Sequence, residues 1–305
     1  MTCVLSQDIC VGDTPLIELS GLSPALGAGL RLLAKAEWHN PGGSVKDRAG
    51  LAIVRAAERE GKLSRGKVLL DATSGNTGIA YAWICARLGY KVSLAVPNSV
   101  TSQRRAILQA YGVELLFTSP LEGTDGAIRE ARMLYQAEPG RYFYADQYNN
   151  EANWKAHFDG TALEILAQTD RKLTHFVAGL GTSGTFCGTT RRLKKELPSV
   201  RCLSVEPDAA LHGLDGMKHM ESAIVPGIYD PTLADEEVEV STEDAQEMTR
   251  RLAREDGLFV GVSSGANVHA AMQIAKRVTR PAVVVTILCD GGGRYMDDRF
   301  WSETR

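Results

Sequence analysis

The stretch Asn40-Pro41-Gly42-Gly43-Ser44-Val45-Lys46-Asp47-Arg48 holds a lysine in an unusual setting. A proline, two glycines and a serine make a turn, and a helix-period stretch follows over residues 47–60. An amine delivered by such a turn is held at a fixed point. A crowded or buried ammonium loses its proton readily, and the neutral amine forms Schiff bases with carbonyl compounds. The same letters also describe a plain surface turn with Lys46 in the first turn of a solvated helix, so this motif alone leaves both readings open.

Three further loops bear on the choice. The first, Thr73-Ser74-Gly75-Asn76-Thr77-Gly78, lies between a strand-like run and a helix-like run. One capping residue satisfies a helix start; this loop supplies four side chains able to cap, beside free amides and the positive end of the helix dipole. That is the make-up of an anion site. The second, Gly179-Leu180-Gly181-Thr182-Ser183-Gly184-Thr185, contains G-x-G-x-x-G, and Glu206 follows about 20 residues on, as in a dinucleotide fingerprint. Its three hydroxyls suit a terminal phosphate dianion better than a pyrophosphate, which needs bare backbone. The third, Gly261-Val262-Ser263-Ser264-Gly265-Ala266, is either a capped helix start or a hydroxyl presented to a ligand heteroatom. A fourth stretch, Gly61 to Lys67, matches G-x-x-x-x-G-K, but Val68 stands where a magnesium-binding Ser or Thr belongs, and the stretch precedes a strand. It reads as a surface turn.

The elements that must position these loops alternate along the chain. Apolar runs predict strands over 68–72, 91–96, 114–118, 175–178, 201–205 and 282–289. Helical periodicity predicts helices over 76–88, 102–111, 124–137, 154–168, 185–197, 241–255 and 265–278. This alternation predicts an α/β protein with twisted, mostly parallel sheets flanked by helices. In such folds ligands gather at the carboxyl ends of strands, where the first two loops fall.

With 305 residues, 44% of them hydrophobic and 23% charged, the chain has the composition of a globular protein with room for two domains. The net charge of −3, with no basic stripe, argues against nucleic acid. No apolar run is long enough to span a bilayer, and residues 1–13 lack the pattern of an export signal. The six scattered cysteines form no C-x-x-C pair. They predict neither a metal site nor a disulfide framework, and suit a reducing cytoplasm. His39, His157, His175 and His269 have no ligand spacing and read as structural.

Taken in order, the lysine turn and the Thr-Ser-Gly-Asn-Thr, Gly-Thr-Ser-Gly-Thr and Gly-Val-Ser-Ser-Gly loops resemble the fold-type II pyridoxal phosphate enzymes. The closest resemblance is to cysteine synthases (O-acetylserine sulfhydrylases) of the B type. Gly12-Asp13-Thr14-Pro15-Leu16, Asp146-Gln147-Tyr148-Asn149-Asn150, Val225-Pro226-Gly227-Ile228 and Cys289-Asp290-Gly291 add to it, so the match covers almost the whole chain.

The resemblance implies roles for particular residues. Lys46 would be the Schiff-base lysine and the base for the substrate α-proton. Asn76 would bond the cofactor 3′-oxygen. Thr73, Ser74, Gly75 and Thr77 would hold the substrate carboxylate, with Gln147 as a second contact. Gly181, Thr182, Ser183, Gly184 and Thr185 would form the phosphate cup, and Ser263 would face the pyridine nitrogen. A serine there leaves that nitrogen mostly neutral, which weakens the electron sink and favours rapid loss of a β-substituent. The implied reaction is β-replacement: an O-activated L-serine loses acetate or phosphate to leave an α-aminoacrylate, and sulfide adds to give L-cysteine. Also implied are two domains with the cofactor between them, 1–43 plus 148–305 as the larger and 44–147 as a smaller mobile one, and a cytoplasmic homodimer.

Two stretches depart from the pattern. Relatives that prefer O-phosphoserine carry an arginine near where Lys218 falls, so Lys218, with His219 beside it, is a candidate donor-phosphate contact or else a solvated loop lysine. Arg294-Tyr295-Met296 is closer to cystathionine β-synthases, which condense serine with homocysteine; that reaction is the alternative. A nicotinamide-dependent dehydrogenase built on 179–184 is the more distant one.

Overall fold

A computed structural model of the chain describes residues 9–22, 26–27, 29–73, 75–278 and 281–302. Ten strands run in chain order: β1 (Leu16–Glu18), β2 (Leu30–Ala36), β3 (Val68–Ala72), β4 (Lys91–Pro97), β5 (Glu114–Thr118), β6 (Tyr142–Tyr144), β7 (His175–Gly179), β8 (Arg201–Pro207), β9 (Glu236–Val240) and β10 (Ala282–Leu288). The α-helices are α1 (Lys46–Arg59), α2 (Asn76–Leu88), α3 (Ser102–Ala110), α4 (Gly123–Ala137), α5 (Glu151–Ala156), α6 (Ala162–Gln168), α7 (Gly184–Glu196), α8 (Thr242–Glu255) and α9 (Val262–Arg277). The described residues form two compact units, one drawn from Met1–Gly12 and Asn40–Asn153, the other from Asp13–His39 and Trp154–Arg305.

The first unit is built on a four-stranded sheet of order β5-β4-β3-β6, parallel throughout. Strand β3 lies inside the sheet, and all of its residues after Val68 are buried. Covered on both faces, such a strand must be apolar nearly throughout, and Val-Leu-Leu-Asp-Ala is, apart from Asp71. Helices α1 and α2 pack together closely. A Cβ added to Gly50 of α1 would lie 3.0 Å from the Ala80 methyl of α2. Ile53, Val54, Ile79 and Ile84 fill the core around that contact. Each such side chain contributes about 2 kcal/mol through burial.

The second unit carries a six-stranded sheet of order β1-β2-β10-β7-β8-β9. All its pairings are parallel except β1 with β2. Strand β10, with its Val-Val-Val-Thr-Ile-Leu run, sits between β2 and β7. Helix α8 is capped by the Ser241 hydroxyl, which accepts the Asp244 N–H, and ends before Gly257 in the left-handed conformation at φ 68°.

Three sequence expectations need revision. The helix expected over 154–168 is broken: α5 and α6 are separated by a π-helical turn, His157–Thr161. Helix α9 begins at Val262, so Ser263 stands inside its first turn instead of in a loop before it. Cys10 is disulfide-bonded, against the reading of uniformly reduced thiols. Cys85, Cys187, Cys202 and Cys289 are free, and burial pushes the Cys85 and Cys202 thiols up to about 12. Among the described residues no helix is long and apolar enough to cross a membrane.

Candidate active site

In the first unit the lysine turn leads straight into a helix. The Gly43 N–H bonds to the Asn40 carbonyl at 2.7 Å, and Gly43 takes a φ of 78° that favours glycine. The Asn40 side chain stitches the turn, its Nδ2 donating to the Ser44 carbonyl and its Oδ1 accepting the Gly12 N–H. Lys46 is the first residue of α1 and is half-buried.

The loop after β3 opens α2, with Gly75 at the N-cap and Asn76 as the first helical residue. The Gly75 N–H donates to Thr73 Oγ1 at 3.3 Å. Thr77 Oγ1 donates to Gln147 Oε1 at 2.8 Å, and Gln147 Nε2 donates to the Ala72 carbonyl at 2.9 Å. The structure thus pairs Thr73 with Gly75, and Thr77 with Gln147, around the same loop, although 70 residues separate the last two. Ser74 lies outside the described residues. Behind the group, buried Asp71 accepts the N–H groups of Ala72 and Gln147. Burial pushes its carboxyl up to about 7, and those two N–H groups pull the other way.

In the second unit the loop after β7 runs into the N-terminus of α7. Gly181 is pressed against the next segment of chain, where an added Cβ would strike the Gly216 carbonyl. Lys218 continues that segment. Its N–H donates to the Leu180 carbonyl at 2.8 Å, and the residue is buried, which removes the picture of a solvated loop lysine. Ser183 is the N-cap of α7 with a φ of 65°, yet its buried hydroxyl does not cap the helix and has only the Cys187 thiol, a weak partner, beside it. Thr182 is buried too. Ser263 is buried at the start of α9, where the neighbouring Ser264 hydroxyl accepts the Cys289 N–H at 2.8 Å. Asn267 of α9 reaches back to β7, so the two loops share a support: an added Cβ on Gly179 would lie 2.9 Å from its Oδ1.

A family profile described as "Pyridoxal-phosphate dependent enzyme" matches residues 8–290. The chain belongs to this family of pyridoxal-phosphate-dependent enzymes. It is 48% identical over 297 residues to the cysteine synthase of Aquifex aeolicus, covering 96% of this chain and 91% of that protein. It is 40% identical to cysteine synthase B of Salmonella typhimurium, covering 96% and 95%. Among solved structures, the cysteine synthase of Entamoeba histolytica superposes with a TM-score of 0.94 at 34% identity, covering 99% of this chain and 93% of that one.

The donor set of the second unit fits the pyridoxal-phosphate cofactor. A phosphate group needs donors at a helix N-terminus and no intruding side chains. Glycines 181 and 184, the Ser183 hydroxyl that leaves the helix uncapped, and the amides opening α7 meet that need. The dinucleotide reading loses its family, and its acidic residue, Glu206, already serves one structural bond. Its Oε2 accepts the Met220 N–H at 2.9 Å.

One residue of this pyridoxal-phosphate-dependent enzyme was missed by sequence reasoning. His157 is 1% exposed and spans two hydroxyls, with Nδ1 2.9 Å from Thr161 Oγ1 and Nε2 3.3 Å from Thr185 Oγ1. It therefore braces the loop that opens α7. The only sequence signal is a His and a Thr four residues apart, which is too common to notice. The π-helical turn that aims the ring is often found at functional sites.

Proposed function

We propose that this chain is a pyridoxal-phosphate-dependent β-replacement enzyme that makes L-cysteine from an O-activated L-serine and sulfide. The observation that carries the reading is the buried Ser183 hydroxyl, which leaves a glycine-lined helix N-terminus uncapped, in a chain whose relatives are cysteine synthases. When bound, the cofactor supplies an electron sink for charge developing at the substrate Cα. Lys46 is the residue that holds the cofactor and then takes the Cα proton, a role supported by the turn that places it as the first residue of α1. Gly181 to Thr185 grip the phosphate, Asn76 holds the cofactor 3′-oxygen, and Ser263 faces the ring nitrogen as a neutral partner. Thr73, Ser74, Gly75 and Thr77 receive the substrate carboxylate.

Gln147 Nε2 carries two hydrogens, one of which goes to the Ala72 carbonyl. The other serves the carboxylate, while the Thr77 hydroxyl turns from Gln147 to the same anion. Loss of the β-substituent then needs no strong acid, because acetate and phosphate both leave as stable anions.

Lys218 selects the donor. Its burial beside Leu180 supports a fixed contact, and an ammonium there favours a phosphate leaving group over an acetate. The test is to supply the cofactor-loaded protein with sulfide and each donor in turn: O-phosphoserine, O-acetylserine, or serine. Cysteine should form from an O-activated serine. Lys218→Ala should lower the kcat/KM ratio of O-phosphoserine to O-acetylserine by about tenfold, the worth of one charged contact. An unchanged ratio removes Lys218 from donor choice. No cysteine from any donor, or cystathionine from serine and homocysteine instead, overturns the reading.

A further inference from the structure

Asp47 follows Lys46 directly and is fully buried. Its two carboxylate oxygens are divided between two parts of the first unit. Oδ2 accepts the Gly42 N–H at 2.5 Å, and Oδ1 accepts the Trp83 indole N–H at 3.0 Å. Gly42 belongs to the turn that delivers Lys46. Trp83 belongs to α2, seven residues after Asn76, and so lies two turns along the same face of that helix. The three groups leave no space between them. A Cβ on Gly42 would land on both Asp47 Oδ1 and Trp83 Nε1.

We infer that Asp47 and Trp83 are positioning residues for Lys46, tying the lysine turn to the helix that begins with Asn76. The inference rests on Lys46 being the lysine that holds the cofactor. Pairing of α1 with α2 does not depend on this tie, because Gly50, Ile53, Val54 and Ile84 already pack the two helices together. What the carboxylate adds is a fixed place for the turn ahead of Lys46. Both carboxyl oxygens accept an N–H, and burial removes the water that would replace either bond. A reacting group displaced by about 1 Å loses up to about 100-fold in rate.

The experiment compares wild type, Trp83→Phe, Asp47→Asn, the double variant and Gly42→Ala, all loaded with pyridoxal phosphate. Trp83→Phe keeps an aromatic ring and removes the indole N–H, so it is the decisive variant if Asp47→Asn folds poorly. Borohydride reduction followed by peptide mapping reads where the cofactor is attached and how fast, independently of turnover. Trp83→Phe should slow attachment at Lys46 and lower kcat, each by about tenfold, with donor KM changed by less than about twofold. Gly42→Ala should do the same, because its methyl forces the three groups apart. The double variant should be no worse than Asp47→Asn alone, since both break one tie. Attachment and kcat at wild-type values in Trp83→Phe and Gly42→Ala overturn the inference, as do effects that add in full. Attachment of the cofactor to another lysine in wild type overturns the Lys46 reading itself, and this inference with it.

Discussion

At the residue scale the candidate site depends on which polar groups have partners and which do not. Ser183 is buried with only the weakly bonding Cys187 thiol beside it, whereas Thr77 and Gln147 have each other. A buried hydroxyl so poorly paired costs up to roughly 1–3 kcal/mol, a cost that a bound phosphate would repay. Replacing Thr77 with valine keeps the shape and removes the hydroxyl. Donor KM should rise about tenfold with kcat less affected; an unchanged KM would take Thr77 out of the carboxylate site. Asp71 makes a different prediction. Its carboxyl is raised from 3.8 to about 7, so the native state holds the proton more tightly than the unfolded chain does. Stability from this group is present below about pH 4 and is lost as pH rises through about 7. Asp71→Asn should therefore flatten the decline in urea midpoint between about pH 4 and about pH 7. A wild-type slope retained in the variant would contradict this. Nothing in the letters marks Asp71 as perturbed, because one of the groups that closes over it, the Gln147 N–H, comes from the chain after β6, 76 residues away.

At the element scale the strand–loop–helix units were legible because their signals are local. Strand β3, the loop after it and α2 lie where the apolar run and the periodicity put them. The elements that escaped are set by distant contacts. Strand β2 reads Leu-Arg-Leu-Leu-Ala-Lys-Ala, a helix former's composition. It is a strand because β10 pairs along its whole length. Its Lys35 is wholly buried, and it is tolerated because Glu164 forms an ion pair with it and Gln168 Oε1 accepts from it at 3.0 Å. Strand β9, acidic at three of its five positions, is an edge strand that earlier elements pair on one side only. The π-helical turn before α6 goes with a close approach from α7. A Cβ on Gly188 would strike the Trp154 carbonyl, and no periodicity announces that. Caps, in contrast, are local and readable. Ser241→Ala should cost about 1 kcal/mol of unfolding free energy by denaturant titration, and a loss below about 0.3 kcal/mol would mean that α8 is held by packing alone.

At the scale of the whole molecule the proposed function draws on both compact units. The first carries Lys46, Asn76, Thr77 and Gln147, and the second carries the 181–185 loop, Lys218 and Ser263. The ordered set of loops pointed to the family because each loop follows its own strand or opens its own helix, and the match over residues 8–290 bears that out. Lys218 was the least legible, since it is buried and its backbone is bonded to Leu180, far away in sequence. The homodimer that the resemblance implies predicts about twice the chain mass by light scattering, and the mass of a single chain would contradict it. The most direct test of the central claim is the visible absorption spectrum of the purified, cofactor-loaded protein, titrated with O-phosphoserine, O-acetylserine and serine, and then with sulfide. The account predicts a visible band that moves to longer wavelength with an O-activated serine, returns on adding sulfide, and is lost in Lys46→Ala. A protein that acquires no visible band on loading, or a Lys46→Ala variant that behaves as wild type, would contradict it.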